Sequence, residues 1–165
     1  MTIRINTATR DDIPEILASA DALVTTDAGR HDAAATNRRW ASETGIAYCT
    51  SLLASADNLV LLARDGDVVV GHLTGRLSGP GIVYAIRVAD LESIHVYPAH
   101  RRRGVGEQLM TAFLAWAAEH GAQRATVTAY AANDGAQRFY ARHGFALKSV
   151  TLDLDDLRGH LRSGG

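Results

Sequence analysis

The chain has 165 residues, of which 47% are hydrophobic and 21% are charged, and its formal net charge is −1. This length predicts a single domain with its own core, and the apolar fraction excludes a chain that is disordered throughout. The near-neutral charge excludes a generally basic nucleic-acid-binding protein, because such proteins neutralise phosphates with many cations. All but one of the 17 basic residues are nevertheless arginines, and three of them form the run Arg101-Arg102-Arg103.

Cysteine and hydrophobic patterning limit the class of protein further. Cys49 is the only cysteine, which excludes an internal disulfide and a multi-cysteine zinc site, and the histidines show no metal-ligand spacing. No apolar stretch approaches the roughly 20 residues of a membrane helix, and the N-terminus lacks the apolar core of a signal peptide. We therefore expect a cytoplasmic protein with no metal, no membrane contact and no nucleic-acid partner, and we leave a homodimer open.

The first half of the chain predicts a strand, two helical segments and three further strands. Alternation predicts a strand over 2–8, and apolar spacing predicts helices over 13–23 and 40–54, separated by a polar segment of low signal over 25–39. Asp65-Gly66-Asp67 lies between strand-like runs at 58–64 and 68–76, which is typical of a hairpin. A further strand is expected within 82–97, because Pro98 cannot continue a ladder.

The second half predicts a helix over 104–120, a strand over 124–130, a short helix capped by Asn133 or Asp134, and a last strand over 145–154. The resulting order, β-α-α-β-β-β-α-β-α-β, indicates one α/β domain over residues 1–165. We expect a central mixed sheet flanked by helices.

The most informative stretch runs from Val96 to Leu109, where a predicted strand turns into a helix. Backbone amides at a helix N-terminus attract anions, and Gly104 and Gly106 would let an oxygen-rich ligand approach the backbone. The adjacent arginines add positive charge, so the stretch predicts a pyrophosphate cradle. It is not a P-loop, which needs a lysine, nor a dinucleotide fingerprint, since Leu109 occupies the place of the third glycine.

Two linked patterns resemble the GNAT superfamily of N-acetyltransferases. Motif A of that family is matched by Val96-x-Pro98-x-x-Arg101-x-x-Gly104-x-Gly106, and a downstream block is matched by Asn133, Ala136, Phe139-Tyr140 and Gly144-Phe145. The resemblance implies the GNAT fold and the transfer of an acetyl group from acetyl-CoA to a primary amine in a direct ternary complex. The partners it implies are acetyl-CoA and an amine acceptor that the sequence does not identify.

The resemblance also assigns roles to individual residues. It implies that Ile94 and Val96 pair through their backbone with the pantetheine arm of CoA, and that the Ile94 amide polarises the thioester carbonyl. Asn133 is expected to contact the CoA arm, and Tyr140 is expected near the sulfur as the acid for the leaving thiolate. The remaining cofactor-binding positions form the pyrophosphate cradle: Arg101, Arg102, Arg103, Gly104, Val105, Gly106 and Glu107.

A general base is needed because a free primary amine is mostly protonated at pH 7. Asp90 and Glu92 precede Ile94 on the same predicted strand, and with a period of two they share one face with Ile94 and Val96 unless a bulge intervenes. We predict that Glu92 is the base, with Asp90 as the alternative. His95 alternates onto the other face and His72 lies in a predicted strand, so neither is assigned to the site.

Three alternatives remain open, and one of them is a nucleic-acid-binding protein that uses the run Arg101-Arg102-Arg103. The chain could be a non-catalytic acyl-CoA-binding regulatory module, which would keep the cradle but would need neither base nor acid. In the variable N-terminal part, Arg38, Arg39 and Trp40 either contact the acceptor or serve packing, and Cys49 is expected in the core.

Overall fold

The computed structural model of the chain describes residues 2–82 and 85–163, without the side chain of residue 163. The backbone forms two compact units, Met1–Asn133 and Asp134–Gly165. The first unit holds a five-stranded sheet in the order β1-β2-β3-β4-β5, with antiparallel pairing except between β4 and β5, which run parallel. The strands are β1 (Ile3–Thr7), β2 (Asn58–Asp65), β3 (Val68–Ser78), β4 (Val88–Val96) and β5 (Arg124–Val127).

Among the described residues, five α-helices belong to the first unit and two to the second. They are α1 (Ile13–Thr26), α2 (Ala28–His31), α3 (Trp40–Glu43), α4 (Gly45–Ala54), α5 (Val105–Glu119), α6 (Asp134–Arg142) and α7 (Leu157–Ser163). No helix in the described part of the chain is long and apolar enough to cross a membrane. The predicted mixed sheet with flanking helices is confirmed.

Helices cover both faces of the sheet, and each face has its own apolar cluster. On one face, Ile16 of α1 and Cys49 of α4 pack with Val60 and Leu62 of β2, which confirms Cys49 as a core residue. On the other face, α5 buries Leu109, Met110 and Phe113 completely. Gly75 of β3 lets α5 approach closely, because a Cβ atom there would lie 2.7 Å from the Phe113 ring.

The hairpin predicted at Asp65-Gly66-Asp67 joins β2 to β3. Asp65 pairs with Val68, and the turn has Gly66 at a φ of 61°, a backbone conformation that glycine adopts readily. The segment over 40–54 is helical but is divided at Thr44 into α3 and α4. Part of the strand expected within 82–97 falls on residues 83 and 84, which lie outside the described residues, and β4 itself begins at Val88.

The prediction of a last strand over 145–154 is wrong. The chain from 145 to 156 has no strand, and α7 follows it. The apolar side chains that suggested a strand, Leu147, Val150, Leu152 and Leu154, are exposed. Their spacing breaks the period of two between Leu147 and Val150, and a strand forms only where a ladder supplies a hydrogen-bonding partner.

Candidate active site

A bulge in β4 changes which residues share a face of the sheet. Thr74 pairs with Ser93 and Gly75 pairs with Leu91, so Glu92 is the additional residue of β4 with no partner on β3. Residues that lie directly opposite each other on paired strands point to the same face of the sheet. Ser93 lies opposite Thr74 and Asp90 lies opposite Arg76, and Thr74 and Arg76 are two residues apart on β3. Ser93 and Asp90 therefore share one face, which is the face covered by α1. The sequence predicted a shared face for Asp90 and Ile94 unless a bulge intervenes; the bulge is present, and Ile94 pairs with Leu73 on the face opposite to Asp90.

The bulge also marks the point where β4 and β5 part. The two strands pair from Val88 with Arg124 to Leu91 with Val127, and their pairing stops there. From Glu92 to Val96, β4 keeps β3 as a neighbour on one edge, while no strand among residues 2–82 and 85–163 pairs with its other edge. Ile94 and Val96 therefore lie on a strand edge that an extended ligand could pair with, and their pairing with the pantetheine arm stays a prediction.

The predicted cradle connects the end of β4 to α5. Arg101 donates from Nε to the carbonyl of Val96 at 2.8 Å, which fixes the start of the turn against the strand. Arg102 and Gly104 have left-handed backbone conformations, with φ values of 56° and 77°. Alternating conformations of this kind turn successive N–H groups toward one point, which is the geometry of an anion-binding nest.

The N-terminus of α5 completes this turn. Gly104 is the N-cap residue of α5 and has no side chain that could cap the helix. A Cβ atom at Gly104 would meet no protein atom within 4 Å, so the space above this residue is open. The nest, the open space and the helix N-terminus fit a pyrophosphate group.

The two candidate carboxylates lie close together but have different partners. Glu92 forms an ion pair with Arg76 of β3, and its side chain is 20% exposed. Asp90 accepts a hydrogen bond of 2.9 Å from the hydroxyl of Thr126 on β5 and pairs in register with Arg76. Arg76 therefore lies beside both carboxylates at the point where the strands part.

An aromatic pair from the second helical segment lies near this carboxylate cluster. Trp40 and Tyr48 stack edge to face with ring centroids 5.7 Å apart. Partial burial and, to a smaller extent, the nearby charge of Glu92 raise the pKa of Tyr48, so its phenol is neutral at pH 7. The indole N–H of Trp40 has no hydrogen-bond partner among the described residues. Aromatic ring faces and a carboxylate together form an environment that stabilises a cation.

The other residues of the variable segment have partners of their own. Arg39 pairs with Glu43 one helical turn away at 3.3 Å, and Arg38 donates to the carbonyl of Gly29 at 3.3 Å. Of the three residues considered for acceptor contact, only Trp40 lies beside Tyr48.

Asn133 is held at the end of the first unit. Its amide Nδ2 donates to Oδ1 of Asp27 at 2.8 Å, and Asp27 follows the last residue of α1. Asn133 also directly precedes α6 in the chain. Its predicted contact with the CoA arm stays a prediction, and its side chain is oriented by Asp27.

Tyr140 belongs to the second unit, on α6. Its ring contacts those of Phe139 and Phe145 edge to face, with centroids 5.6 Å and 6.0 Å away. The backbone N–H of Phe145 donates to the Tyr140 carbonyl at 3.1 Å, which closes the end of the helix. The role of this phenol as the acid for the thiolate stays a prediction.

Sequence reasoning missed a buried polar cluster between α1 and the sheet. Ser19 is fully buried, and its hydroxyl lies 2.7 Å from Nδ1 of His72 and 3.0 Å from Nδ1 of His95. Burial lowers the pKa of His72 to about 3 and that of His95 to about 4, so both imidazoles are neutral at pH 7. A serine within an apolar helix stripe was the only available signal, and it does not reveal that two strands present histidines to it.

Comparison with known proteins adds independent evidence. A family model described as the acetyltransferase (GNAT) family matches residues 26–145. A search of curated proteins finds no match.

Several solved structures share the fold at low sequence identity. A mutant form of the BH1408 protein from Bacillus halodurans superposes with a TM-score of 0.83 at 17% identity, covering 95% of this chain and 100% of the other. The aminoglycoside N-acetyltransferase AAC(6′)-Iy in complex with CoA gives a TM-score of 0.75 at 18% identity, covering 94% of this chain and 95% of the other. The aminoglycoside acetyltransferase meta-AAC0020, from an uncultured soil metagenomic sample, gives 0.72 at 19% identity, covering 94% and 96%.

Proposed function

Since this chain belongs to the acetyltransferase (GNAT) family, we propose that it transfers an acetyl group from acetyl-CoA to a cationic primary amine. The single observation that carries this proposal is the parting of β4 from β5 at Glu92. It leaves an open strand edge at Ile94 and Val96, with the Arg101–Glu107 cradle at one end and two carboxylates at the other.

The donor half of the site follows from the backbone. The amides of the turn and of the first turn of α5 would hold the pyrophosphate, and the three arginines would add charge to it. The edge of β4 would pair with the pantetheine arm as a further strand would. Acetyl-CoA supplies an activated thioester, and the neighbouring aminoglycoside N-acetyltransferase structure contains CoA on the same fold.

The acceptor half is acidic and aromatic. Glu92 and Asp90 attract an ammonium group, and the faces of Trp40 and Tyr48 stabilise a cation further. Two of the structural neighbours act on aminoglycosides, which are polycationic amines, and this agrees with the charge of the cluster. We therefore infer a small polycationic amine as the acceptor class.

The reaction needs a base, an oxyanion donor and an acid. Glu92 removes a proton from the ammonium group so that the nitrogen can attack. The amide N–H of Ile94 donates to the carbonyl oxygen, where negative charge develops in the tetrahedral intermediate; a donor of this kind is worth about 3 kcal/mol. Tyr140 donates a proton to the departing thiolate, and Asn133 orients the CoA arm.

The two compact units act as one domain in this proposal. The family match runs from residue 26 to residue 145 and therefore crosses the boundary between Asn133 and Asp134. The match also includes Tyr140, which lies in the second unit.

A panel of amines tests the proposal against the rival of a non-catalytic acyl-CoA-binding module. We expect CoA to bind and free thiol to be released from acetyl-CoA when a polycationic amine is added, with Glu92→Gln slowing release. Binding of CoA with no thiol release for any amine would favour the module.

A further inference from the structure

A chain of hydrogen bonds beneath the sheet surface holds the residue that follows the bulge in β4. The hydroxyl of Ser93 lies 2.7 Å from Oγ1 of Thr74, its partner in the register, and 3.0 Å from Nε2 of His72. Nδ1 of His72 lies in turn 2.7 Å from the hydroxyl of Ser19 on α1. Ser19 and His72 are fully buried, and Thr74 is 2% exposed. These four side chains form the Ser93 cluster, which lies next to Glu92.

The imidazole of His72 uses both of its nitrogens in this cluster. A neutral imidazole has one N–H donor and one acceptor nitrogen, and each nitrogen of His72 has a hydroxyl within hydrogen-bond distance. The ring is neutral at pH 7 because burial lowers its pKa to about 3. Taking away one partner leaves a buried polar atom unpaired, and this costs more than the net contribution of the hydrogen bond itself. The cluster therefore resists any displacement of Ser93 relative to β3.

The position of the bulge depends on where Ser93 lies. Ser93 is opposite Thr74 and Leu91 is opposite Gly75, so Glu92 is the additional residue. If the bulge moved by one residue, Glu92 would take the place opposite Thr74 and Ser93 would become the additional residue. Side chains alternate between the two faces of a strand, so this shift would turn both side chains away from their present directions. The Ser93 hydroxyl would then lose its two partners on β3.

The same bulge carries the proposed general base. Glu92 forms an ion pair with Arg76, and its charge raises the pKa of the Tyr48 phenol, so its carboxylate points toward the proposed acceptor side. Ile94, two residues further along, carries the amide proposed as the oxyanion donor. The distance between base and oxyanion donor is therefore determined by the backbone on either side of Ser93, the residue between them.

We propose that His72 and Ser19 are positioning residues that act through Ser93 to hold the carboxylate of Glu92 in place for the acceptor amine, an inference that rests on the proposed acetyl transfer. Their hydrogen bonds keep Ser93 opposite Thr74, and this keeps the bulge at Glu92. No proton moves along the cluster, and none of its members touches the reacting atoms. The effect on the rate is large because a displacement of about 1 Å in a reacting group can cost roughly 10²-fold.

Crystal structures of the wild type and three variants test the hold on the bulge without any turnover. We expect the Glu92 carboxylate to shift by about 1 Å or more, or to occupy several positions, in Ser93→Ala and in His72→Leu. Ile16→Val is the matched control, because it trims a buried side chain one helical turn from Ser19 that packs with β2, and it should leave Glu92 in place. Superposition of Glu92 in the wild type and in Ser93→Ala would overturn the proposal, whatever the enzyme acetylates.

Kinetics with conservative replacements test the effect on the reaction. Ser93→Ala should lower kcat by a factor between about 10 and about 10² with the KM for acetyl-CoA unchanged. Ser93→Thr, which keeps the hydroxyl, should restore most of the rate. His72→Leu should resemble Ser93→Ala, and His72→Gln, which keeps a polar group, should recover part of the loss. Ile16→Val should lower the free energy of unfolding and leave kcat unchanged, which separates positioning from a general loss of stability.

Combining Ser93→Ala with Glu92→Gln shows whether the cluster acts through the base. Once the carboxylate is replaced there is no base to position, so Ser93→Ala should then lower kcat by less than about two-fold. Its effect on the free energy of unfolding should be the same with and without Glu92→Gln. If the two effects on kcat multiply in full, Ser93 acts independently of Glu92 and the proposal is wrong.

The outcomes separate the positioning role from the reaction that it serves. If the wild type acetylates amines and Ser93→Ala does so at the same rate, the positioning role is wrong and the proposed function stands. If the wild type acetylates no amine, the proposed function is wrong and the positioning role is rejected with it. Should His72→Leu fail to fold, the Ser93 variants decide, because Ser93 is only half-buried and its replacement leaves His72 in the chain.

Discussion

Arg76 of β3 forms an ion pair with Glu92, the residue that the bulge in β4 leaves without a partner on β3. The same arginine lies opposite Asp90 in the sheet register, whereas the carboxylate of Asp90 accepts a hydrogen bond from Thr126. An ammonium group that approaches Glu92 must therefore compete with a cation that is already in place. This competition determines how the acceptor binds in the proposed reaction.

Removing that competitor should improve acceptor binding. A partly exposed ion pair contributes about 0.2–1 kcal/mol, so Arg76→Met should lower the KM for a dicationic amine by a factor between about 1.4 and about 5 while the KM for acetyl-CoA stays constant. Arg87→Met, which removes the arginine paired with Asp57, is the matched control. An unchanged KM for the amine would mean that Arg76 does not compete for Glu92.

The two carboxylates should differ in their effect on the pH profile. Glu92→Gln should lower kcat by roughly 10²-fold and flatten its rise toward alkaline pH, because the base is lost. Asp90→Asn should have a smaller effect, since the amide oxygen still accepts the hydrogen bond from Thr126. Profiles of kcat against pH for the two variants measure this difference. A larger effect of Asp90→Asn than of Glu92→Gln would assign the role of base to Asp90.

The cradle can be tested with two glycines at opposite ends of α5. Gly104 and Gly121 have φ values of 77° and 75°, and a Cβ atom on either would meet no protein atom within 4 Å. Alanine at either position should therefore lower the free energy of unfolding by a similar amount, about 1 kcal/mol. Only Gly104→Ala should weaken CoA binding, and Gly104→Glu should abolish it.

Calorimetric titration with CoA measures this difference directly. Equal CoA affinity for the Gly104→Ala and Gly121→Ala proteins would contradict the assignment of the pyrophosphate site.

The phenol of Tyr140 should matter for chemistry and not for cofactor binding. Tyr140→Phe keeps the ring that packs against Phe139 and Phe145, so the fold of the second unit should persist. We expect kcat to fall by at least about ten-fold with little change in CoA affinity, as measured by thiol release and by titration. A fully active Tyr140→Phe protein would remove the acid role.

The buried histidines should make the protein sensitive to acid. Their pKa values in the folded chain are about 3 and about 4, against 6.5 when exposed. Above pH 6.5 the two histidines are neutral in the folded chain and in the unfolded chain. As the pH falls below 6.5, the histidines of the unfolded chain bind protons, whereas those of the folded chain do not. Stability should therefore fall on acidification toward pH 4, by about 1.4 kcal/mol per pH unit for each histidine.

Chemical denaturation at several pH values measures this slope. His72→Asn should reduce the slope relative to the wild type. Identical slopes for wild type and His72→Asn would show that His72 does not remain neutral in the folded protein.

The sequence predicted those features that depend on local residue patterns. Gly66 marked the hairpin, and the glycine and arginine spacing from Val96 to Gly106 marked the turn before α5. The bulge at Glu92 could not be predicted, because it arises from pairing between Thr74 and Ser93 on separate strands. The bulge places Asp90 and Ile94 on opposite faces of the sheet, and this changes which side chains lie together at the candidate site.

Long-range contacts account for the other differences. Ser19, His72 and His95 are far apart in the sequence, and only the packing of α1 on β3 and β4 brings them together. The apolar residues from Leu147 to Leu154 suggested a strand through their composition, but no ladder pairs with them within the described part of the chain.

The central claim is that this chain moves an acetyl group from the thioester of acetyl-CoA to an amine nitrogen. Incubation with acetyl-CoA labelled with carbon-13 in the acetyl group, together with a polycationic amine, tests it in one nuclear magnetic resonance measurement. We predict that the label moves from the thioester to an amide of the amine, and that Glu92→Gln slows its appearance. Label that stays in the thioester with every amine, or that appears only as acetate, would contradict the claim.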